Sequence, residues 1–258
     1  MPVILSNQVG KSSFEQAYFD TSSRLTPAAI QFLQANSTLF SGSLADIQHL
    51  TGAPTGSEID IRFKPVWGNT GADRPPPGLY FFVTHPTFID GENVIGLVND
   101  NGRLGIYIKD VNLTDQAPSG MGALIVAKIV RFALRRGAAK IRLLAAGGRY
   151  WPPKGNGSEW VGYYSWARYG FNMPMSQAIE DPAGTPIAGT ENSALAPFFP
   201  VRPPNLPNCA TVQDVLEVTG GKDWWKFCGN GWFMEFDCST AASASIAALE
   251  DFCKEKLI

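Results

Sequence analysis

The stretch with the most chemical content is Asp115-Gln116-Ala117-Pro118-Ser119-Gly120-Met121-Gly122-Ala123. Two glycines flank Met121 where a long apolar run begins. A helix that opens there leaves its first backbone N–H groups without intrahelical partners, and its dipole adds partial positive charge. Glycine also removes side chains where an anion has to approach the backbone. The combination is a candidate cradle for a phosphate or pyrophosphate, although Gly-x-Gly before a helix also reads as a plain tight turn. No Gly-Lys-Ser/Thr follows, so this is not a Walker loop, and the third glycine of a dinucleotide fingerprint is missing.

The elements that position this turn follow from the spacing. Glu58 to Trp67 alternates apolar and polar residues up to Pro65, which marks an edge strand or a strand end. GLYFFVTHPTF is a buried strand, and ENVIGLVND and RLGIYIKDVNL are two strands joined through Asn99-Asp100-Asn101-Gly102, a strong hairpin turn. Met121 to Arg136 is a helix ended by Gly137. Leu124, Ile125, Ile129, Phe132 and Ala133 form its apolar face, while Lys128, Arg131 and Arg135 form a basic stripe read as solvated. AAKIRLLAA is the next strand and completes a β–α–β unit. Upstream, Thr26-Pro27 and Ser43 with Asp46 open two helices, the second ending near Gly52 and carrying His49 on its surface. Pro2 to Leu5 is a possible strand, and residues 13–25 give no clear reading. Downstream, residues 172–208 hold eight of the nineteen prolines and read as a long extended connection. Thr211 with Asp214 caps a helix. GGKDWWKFC reads as a turn and an aromatic cluster, WFMEFDC as a strand, and SASIAALEDFCKEKL as an amphipathic helix.

With 258 residues the chain can bury a substantial core. A net charge of -2 gives no electrostatic basis for binding nucleic acid or an anionic membrane. The start, MPVILSNQVGK, lacks a basic n-region, and no stretch approaches the roughly 20 apolar residues of a span. The expectation is a cytoplasmic protein without a membrane partner, with signal-less export as the alternative. Cys209, Cys228, Cys238 and Cys253 contain no C-x-x-C pair, and only two histidines are present, so no metal site is expected. A disulfide is neither required nor excluded by the spacing. There is no Ser/His/Asp or Cys/His signature of a hydrolase.

An antiparallel meander, a glycine turn, a basic-striped helix, a strand and an aromatic segment ending Gly170-Phe171 together resemble the GNAT (Gcn5-related N-acetyltransferase) superfamily, over about residues 58–175. The family's Gln/Arg-x-x-Gly-x-Gly/Ala turn is matched by Gln116 and Gly120-Met121-Gly122, with one extra residue after Gln116. Its later Tyr-x-x-x-Gly-Phe is matched at Gly170-Phe171, but Trp166 stands where the tyrosine would be. Indole has no proton to give a thiolate usefully, which leaves Tyr163, Tyr164 and Tyr169 as neighbouring substitutes.

The resemblance implies an α+β fold: a central, mostly antiparallel sheet flanked by helices, with N-terminal helices and a C-terminal extension. The segments would be 1–57, the core 58–175, a Pro-rich connection 176–210 and an extension 211–258. It further implies acetyl-CoA or another acyl-CoA as cosubstrate, held by Val111, Asn112, Leu113, Gln116, Gly120, Met121, Gly122 and Ala123. A small-molecule or protein amine (or hydroxyl) would accept the acyl group. Transfer needs a base and an oxyanion donor. Tyr164, Glu159 and Asp110 are the catalytic candidates, and His85, Trp166 and Tyr169 would meet the acceptor. Each carboxylate also reads as an ordinary surface group, and His85 as a satisfied strand-end residue. The alternative is a binding or structural protein, or a delivered effector, on the same fold. It would have lost cofactor binding and with it catalysis, and would use its Pro- and Trp-rich C-terminal third for protein contacts.

Overall fold

The computed structural model describes residues 13–19, 22–68, 74–148, 161–178 and 203–256. The expected Pro2–Leu5 strand and most of the Pro-rich connection lie outside them. The helices are α1 Ser13–Tyr18, α2 Pro27–Ala35, α3 Leu44–Thr51, α4 Met121–Arg136, α5 Gly162–Arg168, α6 Met175–Ala178, α7 Val212–Glu217, α8 Gly221–Cys228 and α9 Ala244–Glu255. The strands are β1 Arg24–Leu25, β2 Glu58–Lys64, β3 Gly78–Thr84, β4 Asn93–Asp100, β5 Arg103–Asp110, β6 Lys140–Leu144 and β7 Phe233–Asp237. They form one sheet in sequence order. β1 joins β2 in parallel, and β2 to β5 form an antiparallel meander. The fold is therefore mixed α+β around a mostly antiparallel sheet flanked by helices, as the sequence predicts. Two compact units are present, 1–142 with 237–258, and 143–236.

The capping chemistry read from the sequence is in place. Thr26 accepts the Ala29 N–H with Pro27 at the first helical position. Ser43/Asp46 and Thr211/Asp214 are both complete capping boxes. β2 stops at Lys64, immediately before Pro65. Asn101 and Gly102 take positive φ values of 53° and 82° in the β4–β5 turn, the geometry Asn-Gly tolerates.

Three expectations are corrected. First, the basic stripe of α4 is not a solvated face. Glu15 of α1 is 2% exposed, and its Oε1 lies 2.7 Å from Arg131 and 3.5 Å from Lys128, itself 4% exposed. α1, α3 and α9 cover that side of the helix, and Arg135 remains exposed. Burial alone would raise the Glu15 pKa, but the hydrogen bond and charge of Arg131, with Lys128, outweigh it and hold the carboxyl below its usual range. Second, His49 is half-buried rather than on the surface, and its Nδ1 is enclosed without a hydrogen-bond partner. Third, GGKDWWKFC is helix α8, opened by Gly220 at φ 77°. A Cβ on Gly221 would lie 1.7 Å from the Val215 carbonyl oxygen, so a residue of low helix propensity is required there. Within the stretch 13–25, unplaced from the sequence, Ser13–Tyr18 form α1 and Arg24–Leu25 form β1.

His49 carries a pH prediction. Burial, then the charges of Lys128, Arg135 and Arg131, lower its pKa from 6.5 to about 4. Above pH 6.5 both folded and unfolded states are neutral and nothing is lost. As pH falls from 6.5 toward 4 the unfolded chain takes a proton that the folded chain refuses, and stability drops. Discounting for partial exposure, the loss at pH 5 is expected to be about 1–2 kcal/mol. Urea melts at pH 7.5 and pH 5 should show it, and His49→Gln should flatten the difference. An equal pH response in the variant would refute the assignment.

Candidate functional site

α4 opens on Gly120, which adopts φ 95° and ψ −13° and offers no capping side chain. The Met121 N–H donates to the Pro118 carbonyl at 3.0 Å, and the Leu124 N–H returns to Gly120 at 3.1 Å. Among the described residues no group accepts from the N–H of Gly122 or Ala123. A positive-φ glycine at the N-cap thus turns the chain into the helix while leaving its donor end open. Gly122 is half-buried, Met121 and Ala123 are buried, and Gln116 is exposed on the preceding turn. The open donors and the dipole end suit a phosphate group.

The segment feeding this turn is shaped by a β-bulge. Ile95 pairs with Ile108 but Val94 pairs with Asp110, so Lys109 is the extra residue. Lys109 and Asp110 form an ion pair, both partly exposed. Beyond Asp110 the chain stays extended, and Leu113 bridges Ile89 antiparallel. The Asn112 carbonyl accepts the Asp90 N–H at 3.1 Å, the Asn112 N–H donates to Asn93 Oδ1 at 2.7 Å, and the Thr114 N–H donates to Phe88 O at 3.1 Å. One edge of 111–114 is therefore taken. Because extended backbone alternates, the polar groups of Val111 and Leu113 face the opposite edge. Of the three residues expected to present backbone groups to a pantetheine arm, Val111 and Leu113 are disposed to do so, while both polar groups of Asn112 are engaged.

His85, an expected acceptor contact, has both ring nitrogens occupied. Nδ1 accepts the Thr87 and Phe88 N–H groups at 3.1 and 3.0 Å, and Nε2 meets the Thr55 carbonyl at 3.0 Å. This pattern requires the tautomer protonated at Nε2. The ring also stacks on Phe88 at 4.5 Å. His85 thereby builds the turn that supports residues 112–114.

The aromatic segment belongs to the unit 143–236. The Tyr163 hydroxyl donates to the Lys226 carbonyl and is engaged. Tyr164 is half-buried near the start of α5, with the Arg168 guanidinium 5.8 Å from its ring centre. Trp166 packs edge-on against Tyr169 at 5.9 Å and Phe171 at 5.3 Å, and Phe171 packs on Phe236. Gly170 has φ 91°, and Phe171 is buried. Gly-Phe here ends the helix and anchors it to the core. Glu159 lies outside the described residues.

A separate open groove of about 330 Å³ is lined by Thr26, Glu58, Asp60, Arg62, Phe82 and Glu92, among others. Glu58 pairs with Arg24 and Asp60 with Arg62, whose guanidinium covers the Phe82 ring at 4.4 Å, so much of its charge is internally matched. All four cysteines are free thiols, and Cys238 and Cys253 are pushed up to about 12 by burial, which makes them poor nucleophiles. No group of His, Cys, Asp and Glu able to hold a metal occurs among the described residues, and no helix among them is long and apolar enough to cross a membrane.

Asn93, whose side chain holds the 111–114 segment, was not singled out by the sequence. It opens a strand with no local motif, and its link to Asn112 spans 19 positions. No protein-family model matches the chain, and a search of the curated proteins finds no relative.

Proposed function

We propose that the chain is an acyl-CoA-dependent acyltransferase that moves an acyl group, most simply acetyl, to an amine or hydroxyl acceptor. The observation that carries this reading is the conjunction, in one unit, of the open α4 donor end at Gly120 to Ala123 with the one-sided extended segment 111–114. The first suits the pyrophosphate of coenzyme A and the second the amides of its pantetheine arm. The order of elements also fits the GNAT resemblance.

In this reading the acceptor nitrogen attacks the thioester carbonyl, and its proton passes to a carboxylate, Asp110 or Glu159. Backbone N–H groups stabilise the oxyanion that forms. The C–S bond then breaks, and the departing thiolate takes up a proton, the role that the GNAT resemblance assigns to Tyr164. Tyr164→Phe is expected to lower kcat by about 10- to 100-fold while leaving acyl-CoA affinity unchanged. Steady-state kinetics with equilibrium binding checks this, and an unchanged kcat removes Tyr164 from the reaction.

One observation favours a second reading, a binding protein without turnover. Trp166 holds the position of the expected tyrosine, and its ring is committed to packing on Phe171. The two readings part on a single assay. Acetyl-CoA consumption in the presence of a panel of amines supports the enzyme, and coenzyme A binding without consumption supports the second. A fully folded sample that binds no coenzyme A thioester counts against the enzyme and leaves a binding or structural protein that has lost the cofactor.

A further inference from the structure

We infer that Asn93 is a positioning residue for the cosubstrate edge, and that it selects which backbone groups of 111–114 are left to receive a pantetheine arm. The inference rests on the acyl-CoA reading above. Asn93 is the first residue of β4 and is 1% exposed. Its backbone is already in register with Val83 of β3. On the other side of β4 the ladder to β5 slips at the Val94/Ile95 step, where Lys109 bulges. Past a bulge nothing in the regular ladder fixes which residues face the neighbouring strand. The Asn93 side chain does so together with the two backbone bonds that flank the Ile89–Leu113 bridge. Oδ1 takes the Asn112 N–H at 2.7 Å, shorter than the two 3.1 Å backbone bonds that tie this segment to residues 88–90.

The consequence is an exchange between two sets of groups. With Asn112 turned toward residues 88–93, Val111 and Leu113 must turn the other way. A slip of one residue would present Asn112 and Thr114 instead and bury the groups of Leu113. The His85 turn supports the same register by fixing Phe88, whose carbonyl accepts from Thr114. Asn93 touches no part of the proposed cosubstrate and acts only through Asn112.

The test is isothermal titration with two ligands, coenzyme A and 3′,5′-ADP, which lacks the pantetheine arm. For Asn93→Ala, coenzyme A affinity is expected to fall by about tenfold, one lost hydrogen bond's worth of binding, and 3′,5′-ADP affinity to stay at the wild-type value. Asn93→Asp keeps an acceptor for the Asn112 N–H and is expected to restore coenzyme A binding. If Asn93→Ala does not fold, Asn93→Ser takes its place, because the shorter side chain falls short of Asn112. Wild-type coenzyme A affinity in the Ala or Ser variant would overturn the inference while the acyl-CoA reading stands. Equal losses for both ligands would also overturn it, since that is general damage. Wild-type protein that binds neither ligand would overturn the acyl-CoA reading, and this inference with it.

Discussion

Glu15→Ala is expected to destabilise the protein by about 3–5 kcal/mol, the cost of breaking a buried ion pair from one side. Glu15 is the buried anion against which both Lys128 and Arg131 are placed. Removing it takes the carboxylate away from Lys128, which is 4% exposed and has the Phe19 ring 5.3 Å from its ammonium. Glu15→Gln keeps the shape and a hydrogen-bond acceptor but not the charge, and should recover only part of the loss. Lys128→Met together with Glu15→Leu should be milder than Glu15→Ala, because it removes the more deeply buried cation along with the anion, although Arg131 still loses the Glu15 carboxylate. Denaturant melts of the four proteins check this. A Glu15→Ala loss below about 1 kcal/mol would show that the pair is solvated and the account of α4 wrong.

Gly122→Asp should act in opposite directions on stability and on binding. Gly122 has no positive φ, so a side chain is conformationally permitted. In the first turn of α4 an aspartate replaces glycine and meets the positive end of the dipole, and both effects favour the helix by about 0.5–1 kcal/mol. The same carboxylate would occupy the anion's place and repel it. Coenzyme A affinity is expected to fall by about 100-fold or more while the melting temperature holds or rises. Gly122→Asn, with similar size and no charge, should bind coenzyme A better than Gly122→Asp. If both variants bind as the wild type does, the α4 donor end is not the anion site.

What was legible in the sequence is what depends on neighbours a few residues apart. Thr26-Pro27, Ser43 with Asp46, and Thr211 with Asp214 are local capping contacts, and the structure forms all three. The limits of α4 follow from Gly120 and Gly137, and the β4–β5 turn from Asn101-Gly102. The reading failed where the partner is remote. The Lys128 stripe looks solvated on its own helix, whereas Glu15, 113 positions away, meets it in the interior. α8 was hidden because the glycines that begin it signal a turn, whereas Gly221 is there to let Val215 approach. In the candidate site, the glycine cradle was readable from its spacing. The Asn93 tie to Asn112 was not, because it depends on the bulge at Lys109, and no residue type announces a bulge.

Everything functional above turns on whether this fold holds coenzyme A. The most direct measurement is isothermal titration of the folded wild-type chain with coenzyme A and acetyl-CoA, with a melting curve at saturating ligand alongside. The account predicts one site per chain. It also predicts a rise in melting temperature of about 5–10 °C once ligand exceeds the dissociation constant by about 100-fold. No heat of binding and no shift at millimolar acetyl-CoA, from a sample that melts cooperatively, would contradict it.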